Sequence, residues 1–441
     1  MPVDTNSNGS AFENNTQAPI AIVGGGIGGL ALAIGLLKHG IHVHIYEAAA
    51  AFSEIGAGVA FGINSITALR LIDSRLLEGY KKHATFNADH NRANTFMSFR
   101  WGIDEDMPNG HKAGDAMWNL DDNWQPKRAE AFGVRTRSCI HRARLLDELV
   151  ALLPANVTSF NKSFVAVDQQ TDGSLELQFA DGTTALASAL IGCDGIKSKV
   201  RELVCGSHAC ATYAGEVAYR AMVPRVDAEK ALGADLAFNG TIYCGYGGYI
   251  VTYPVENCNF VNMVAIPHDL DEAPIWNQDE WTVPATTDEI RRHFKGWYRP
   301  LVDVICDHSM PSKWALFDLQ HDAPYYKSNI CLLGDSAHAT TPHLGAGAGM
   351  AMEDAYLLSS LVSSVGSVAH VENAFRAYDA VRRPRTQACI RKSRKAAIAM
   401  DFLVPETVED TTALKKALEA SYRWLWHDDL EAQLSRAKRL L

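Results

Sequence analysis

Short, uninterrupted apolar runs alternate along this chain with longer helix-like stretches. Ile20–Val23 reads IAIV, apolar throughout, which predicts a strand buried on both faces. A glycine cluster follows, then an apolar helical stretch that runs to about Lys38 and stops at Gly40. "HVHIYE" predicts a second strand finishing on Glu47. Two later apolar runs, "ASALIGCDG" with a strand ending at Ile191 and "CLLGDSAH" from Cys331, end in or near Gly-Asp. Between them, "EVAYRAMV", "TIYCGYGGYIVTYPV" and "FVNMVAIP" predict a separate sheet over residues 206–319. Residues 91–134, rich in Trp, Asn and Asp, show little periodicity. The stretch from Thr412, "TALKKALEASYRWLWHDDL", is amphipathic and predicts a helix that packs on the body or on a partner chain.

Composition narrows the class. At 441 residues the chain is long enough for two or three domains, and 47% hydrophobic with 21% charged residues is the balance of an ordinary globular protein. A net charge of −10 argues against nucleic-acid binding. The basic cluster "RRPRTQACIRKSRK" is expected to be a solvated helix face. Nine scattered cysteines suggest reduced thiols and a cytoplasmic location. "CGSHAC", with Cys205, His208 and Cys210, lacks a second ligand pair at zinc spacing, so no metal site is expected. Residues 1–17 carry no basic leader and are expected to be a disordered tail. Residues 20–37 are uncharged over the length of a membrane span, but the glycines break that reading and no stable membrane insertion is expected.

Gly24, Gly26 and Gly29 fill a G-x-G-x-x-G frame between strand and helix. In that frame the first glycine allows the turn, the second lets backbone approach a pyrophosphate, and the third lets helix and strand pack. Glu47, 23 residues beyond Gly24, stands where a carboxylate would accept ribose hydrogen bonds. The motif alone does not separate NAD from FAD. The two later Gly-Asp segments do, because a simple dehydrogenase has no need of them.

With these three segments in order (Gly24 to Gly29, Cys193-Asp194-Gly195, and Gly334-Asp335 through Pro342) the chain resembles the FAD-dependent aromatic hydroxylases, flavoprotein monooxygenases with one flavin domain. The middle motif departs slightly, with Cys193 where alanine is usual. The resemblance implies an α/β fold: a Rossmann-like FAD-binding domain, discontinuous over 18–90, 135–205 and 320–400, with an inserted mixed-sheet substrate domain at 91–134 and 206–319. A C-terminal helical segment would follow at 401–441. It implies that Asp335 holds a ribityl hydroxyl, and that Asp194 and Gly58, the latter in "EIGAGVAF", lie beside the cofactor. Arg142 would contact the cofactor or remain a surface salt-bridge residue. Gly345, Ala346, Gly347 and Ala348 would let a helix beginning near Gly349 approach the flavin ring.

The same resemblance implies FAD as cofactor, NADH or NADPH as reductant and O2 as co-substrate, acting through a flavin C4a-hydroperoxide on a small phenolic molecule. Residues 91–134 would cover its site. Arg220, mid-strand, and Tyr253, before Pro254, would bind and activate a phenolate, and His343 would orient the substrate. Against these roles stand a wet-face arginine, a core tyrosine and a turn-capping histidine. "AYRAMV", "WALFDL" and "AYDAVRRPR" look like salicylate hydroxylases, and equally like fungal enzymes that dearomatise polyketide phenols. The Arg220–Tyr253 pair leans the reading to the second, with decarboxylating hydroxylation of salicylate as runner-up. A dehydrogenase and a flavin-bound interaction protein are the other classes. A monomer or homodimer is expected.

Overall fold

In the computed structural model the described residues are 18–52, 58–103, 110–122, 132–133, 138–269, 274–404 and 411–441. The expected N-terminal tail and residues 54–57 of the "EIGAGVAF" match lie outside them.

The chain folds as mixed α/β around two large sheets. The first has six strands, in the order Tyr326–Lys327, Ile330–Leu332, Ala189–Gly192, Ile20–Val23, Val43–Tyr46 and Thr158–Ser159. Every neighbouring pair is parallel except the first. Ile20–Val23 is buried along its whole length at the centre, which is why it needs no polar alternation. Helices Ile27–Lys38 and Gly347–Ser364 pack against each other over this sheet, and both are almost entirely buried. A three-stranded antiparallel sheet, Phe164–Gln169, Leu175–Phe179 and Thr184–Ala187, shares the same apolar core.

The second sheet has eight strands, in the order Thr282–Pro284, Ser309–Asp318, Thr212–Pro224, Phe260–Pro267, Gly248–Val255, Thr241–Gly245, Thr95–Trp101 and Ala116–Asp121. It is mixed, because Thr241–Gly245 runs parallel to Thr95–Trp101 and the other pairs are antiparallel. Within residues 91–134, Thr95–Trp101 shows why a strand can lack visible periodicity: six of its seven residues are buried, so neither face is a solvated one. One face meets the C-terminal helices and the cavity described below, and the other meets helices Arg225–Ala237 and Arg299–His308.

Helix Thr411–Trp426 buries Leu414, Leu418, Tyr422 and Leu425, at spacings of four, four and three, against the chain's own core. The solvated-face reading of the basic cluster is corrected. Arg382 is fully buried and Arg385 nearly so, on helix Val371–Met400. They face two acids on the neighbouring helix, a pairing that helix periodicity within one segment does not reveal. Among the described residues no helix is long and apolar enough to cross a membrane.

Candidate active site

A cavity of about 490 Å³ opens where the parallel strands end. Its walls are the loops after Val23, Gly192 and Leu332, and one face of the eight-stranded sheet. Open α/β sheets bind ligands at this place.

Backbone builds the first wall. Gly24 has φ +106°, and a Cβ there would lie 2.3 Å from the Cys193 carbonyl oxygen. The first and middle motifs are therefore pressed together, and only glycine fits both the angle and the gap. A Cβ on Gly29 would lie 2.2 Å from the Gly24 carbonyl oxygen, so helix and turn pack there as the motif requires. Gly26 lines the cavity with nothing within 4 Å of its missing Cβ. Helices Ile27–Lys38 and Gly347–Ser364 both begin at this cavity, and neither has a side-chain cap at its N-terminus. Two sets of backbone N–H groups, each with its positive dipole end, converge on one space. Gly345 turns the chain into the second helix in the left-handed region, at φ +60°. Gly345, Ala346, Gly347 and Ala348 all line the wall. That helix starts at Gly347, two residues before the expected position.

The acids divide by role. Asp335 lines the cavity with an exposed carboxylate. Glu47 instead braces the turn: its Oε2 accepts from the Gly25 N–H at 2.6 Å, and its Oε1 from the Ala49 N–H at 2.8 Å. Asp194 accepts from the Ser198 hydroxyl at 2.5 Å and from the N–H groups of Lys199 and Val200, at the start of helix Lys199–Cys205. Its neighbours Cys193 and Gly195 reach the cavity. Arg201 ties the middle motif to the late one, donating to the carbonyls of Ile196 and Ser336. An open glycine cradle, two uncapped helix starts and one cavity-facing carboxylate fit a dinucleotide carrying a pyrophosphate, ribose hydroxyls and an electron-poor ring.

Side chains build the opposite wall. Arg220, Tyr249, Tyr253 and His343 line it, and Arg142 joins them at the start of helix Arg142–Val150. The Arg220 guanidinium stacks over Trp314 at 4.1 Å, and its Nε has no hydrogen-bond partner. Burial pulls its pKa down, an ionised Tyr253 would raise it, and Arg142 lowers it further. The Tyr253 hydroxyl donates to the Gly58 carbonyl at 2.7 Å. Gly58 must be glycine for this contact, since a Cβ would meet Val255 at 2.6 Å and the Tyr253 ring at 2.8 Å.

Sequence reading missed Tyr249, Tyr422 and Glu216. Tyr249 bonds to His343 Nδ1 at 2.9 Å, and Tyr422 enters from the C-terminal helix. Glu216, at 2% side-chain exposure, lies 2.9 Å from His343 Nε2. A signal for it existed, because strand alternation puts Glu216, Ala218 and Arg220 on one face. No such signal pointed to Tyr422.

The comparisons with known proteins agree with this geometry. Residues 17–393 match the family model described as FAD binding domain. The chain belongs to the FAD-dependent aromatic hydroxylases of salicylate-hydroxylase type. It is 38% identical over 427 residues to a 6-methylsalicylate 1-monooxygenase of Aspergillus terreus, covering 95% of this chain and 91% of that protein. It is 35% identical to a salicylate hydroxylase of Pseudomonas putida, covering 97% and 96%. A solved salicylate hydroxylase–substrate complex superposes with a TM-score of 0.80 at 30% identity, covering 96% and 98%. This hydroxylase is an FAD enzyme, and both the dehydrogenase and the non-catalytic alternatives fall away.

Proposed function

We propose that the enzyme uses NADH or NADPH and O2 to hydroxylate a phenol at a substituted carbon beside the phenol oxygen, and that its substrate is a polyketide-derived phenol. The observation that carries this is the half-buried Arg220, with a partnerless Nε, facing a cavity that Arg142 also lines. A guanidinium in a half-dry space calls for an anion, and a phenolate there restores what burial takes from Arg220. Ionisation also enriches the carbons next to the phenol oxygen in electrons, which suits electrophilic oxygen.

Bound FAD supplies the electrons drawn from NAD(P)H and the activation of O2. The backbone wall (Gly26, Asp335 and the Gly347 helix start) would hold it, and the rest is the work of this chain's side chains. Arg220 holds the phenolate. Tyr253, anchored on Gly58, fixes the ring's edge with its hydroxyl oxygen. His343 and Tyr249 bound the opposite side. Phe96, Val251, Ile266 and Leu344 line the same cavity and keep water from it.

The substituent decides the product. At a carbon bearing an alkyl group, the new C–O bond leaves a hydroxydienone that has lost aromaticity. At a carbon bearing a carboxylate, the C–C bond breaks, CO2 leaves, and the bonding pair returns to the ring as a catechol. The relative acting on 6-methylsalicylate and the solved salicylate hydroxylase favour this second outcome for salicylate-type acids. The test is NAD(P)H consumption with alkylated phenol aldehydes, 6-methylsalicylate and salicylate, with products identified by mass. A product that keeps every carbon supports dearomatisation, and a catechol with CO2 supports the second reading. Absence of phenol-stimulated oxidation across the series would sink both.

A further inference from the structure

Behind the substrate wall three distant segments bring two acids and a histidine together. Glu216 lies on strand Thr212–Pro224, His268 follows strand Phe260–Pro267, and Asp401 caps the C-terminus of helix Val371–Met400. Backbone bonds hold the segments in place. The His268 N–H donates to the Gly247 carbonyl, the Gly247 N–H donates to the Asp401 carbonyl, and Glu216 pairs with His268 in an antiparallel bridge. His268 Nδ1 lies 2.9 Å from Asp401 Oδ2 and 3.7 Å from Glu216 Oε1. Ligand atoms of all three fall within 4.8 Å of one another.

Two further observations point to a cation. Both carboxylates are buried, with side-chain exposures of 2% for Glu216 and 0% for Asp401. Yet Glu216 Oε1 and Asp401 Oδ1 have no hydrogen-bond partner among the described residues, and neither acid has a lysine or arginine partner there. Carboxylate oxygens buried without a donor are costly until positive charge meets them. Asp401 also stands at the end of a 30-residue helix, where the dipole is negative and favours a cation over an acid.

We propose that Glu216, His268 and Asp401 form a binding site for a divalent transition-metal ion of the manganese-to-zinc series. The donor set gives the class. One imidazole nitrogen with two carboxylates suits Mn²⁺ or Zn²⁺, whereas Mg²⁺ and Ca²⁺ take oxygen ligands. A divalent ion cancels the two acids, so the filled site is neutral, as burial requires. The ion takes the place of a proton on His268 Nδ1, and binding releases that proton to solvent. Ligand atoms each about 2.1 Å from one ion stand about 3.0–3.4 Å apart, so small side-chain shifts close the site. The His268 side chain, 16% exposed, gives the ion a way in from solvent. The other Glu216 oxygen lies 2.9 Å from His343 Nε2, so the ion braces the back of the cavity wall. Stripped of the ion, the acids are balanced by protons alone and the cluster can change its charge.

The experiment uses the FAD-loaded enzyme, dialysed against EDTA and then titrated with Mn²⁺, whose free form gives a sharp electron-spin-resonance signal that is lost on binding. One ion per chain should bind with a micromolar Kd. Excess Zn²⁺ should displace it and excess Mg²⁺ should not. The bound ion should also raise the melting point by a few degrees. Asp401→Asn and His268→Gln should each weaken Mn²⁺ binding about a hundredfold. His268→Gln, at the half-buried end, decides the matter if Asp401→Asn fails to hold FAD. Absence of Mn²⁺ binding in the wild type, wild-type affinity in either variant, or displacement by Mg²⁺ as readily as by Zn²⁺ overturns the site. The readout needs no substrate, so an enzyme that binds Mn²⁺ as expected but turns over no phenol would strike the proposed reaction and leave the site standing.

Discussion

Two buried ionic clusters flank the cavity, and they differ in the cation they use. On the cofactor side, Arg382 pairs with Asp354 at 2.7 Å and Glu353 at 2.6 Å, and Arg385 grips Glu353 at 2.8 Å through two nitrogens. Asn64 and His338 complete it, at 2.7 Å from Glu353 and 2.5 Å from Asp354. Burial would raise both carboxyls, but the arginines and His338 outweigh it and hold each at about 2. On the substrate side no arginine is present among the cluster's residues: His343 and His268 face Glu216, and His268 also faces Asp401. Arginine does not release its proton in a protein, so the first cluster is locked and serves as scaffold for the helix that begins at the cavity. Histidine does, so the second can change state during a reaction.

The sharpest way to break this comparison is Arg382→Met. It leaves Glu353 and Asp354 short of compensation in the core and should cost about 3–5 kcal/mol. Thermal unfolding and loss of bound FAD would show it, and a melting point within a degree or two of wild type would mean the locked cluster is not scaffold.

Arg220→Ala comes next. It should cut product formation about a hundredfold, in the range of a lost charge-stabilising group, with FAD content unchanged. Retention of near-normal product formation would take the phenolate away from Arg220.

The two clusters should also bend stability in opposite directions with pH. Glu353 and Asp354 have depressed values, so their contribution is present above their unfolded values of 4.5 and 3.8 and is lost as pH falls towards 2. Asp401 is raised, so it binds its proton more tightly when folded, and stability falls as pH rises from 3.8 to about 7. His268 is raised too, so its contribution is full below 6.5 and is lost as pH climbs through its folded value. Denaturant melts across pH should show both slopes. Asp401→Asn should flatten only the one near neutrality, and a change on the acid side instead would show the clusters to be one unit.

The smallest effect is expected at Gly26→Ala. Its Cβ meets open space, so the fold should melt as before, while the methyl group intrudes where a pyrophosphate would sit. FAD affinity should drop about tenfold, worth about 1.4 kcal/mol, as read by titration of the apoenzyme.

Much of the cofactor side was legible in the chain. Gly24, Gly26, Gly29, Asp335 and the Gly345–Ala348 run stand out because tight turns and close backbone packing demand glycine and small residues at fixed local spacing, and Gly26, Gly29, Asp335 and that run do line the cavity. The clusters were not legible in that way. Arg382 looked like a solvated charge because its partners Glu353 and Asp354 belong to another helix. Glu216 looked like any strand acid because His343 and Asp401 lie far along the chain. The weak periodicity of Thr95–Trp101 hid a strand, since burial on both faces removes alternation.

The amino-acid sequence by itself determined the parallel strands, the glycine turns and hence the flavin-binding frame, because these rest on local geometry that a few neighbouring residues impose. Only the tertiary structure decided which charges are buried, which are paired, and which face the cavity. Burial and pairing are properties of surroundings drawn from distant segments, and the fate of a charge depends on those surroundings more than on its neighbours in the chain.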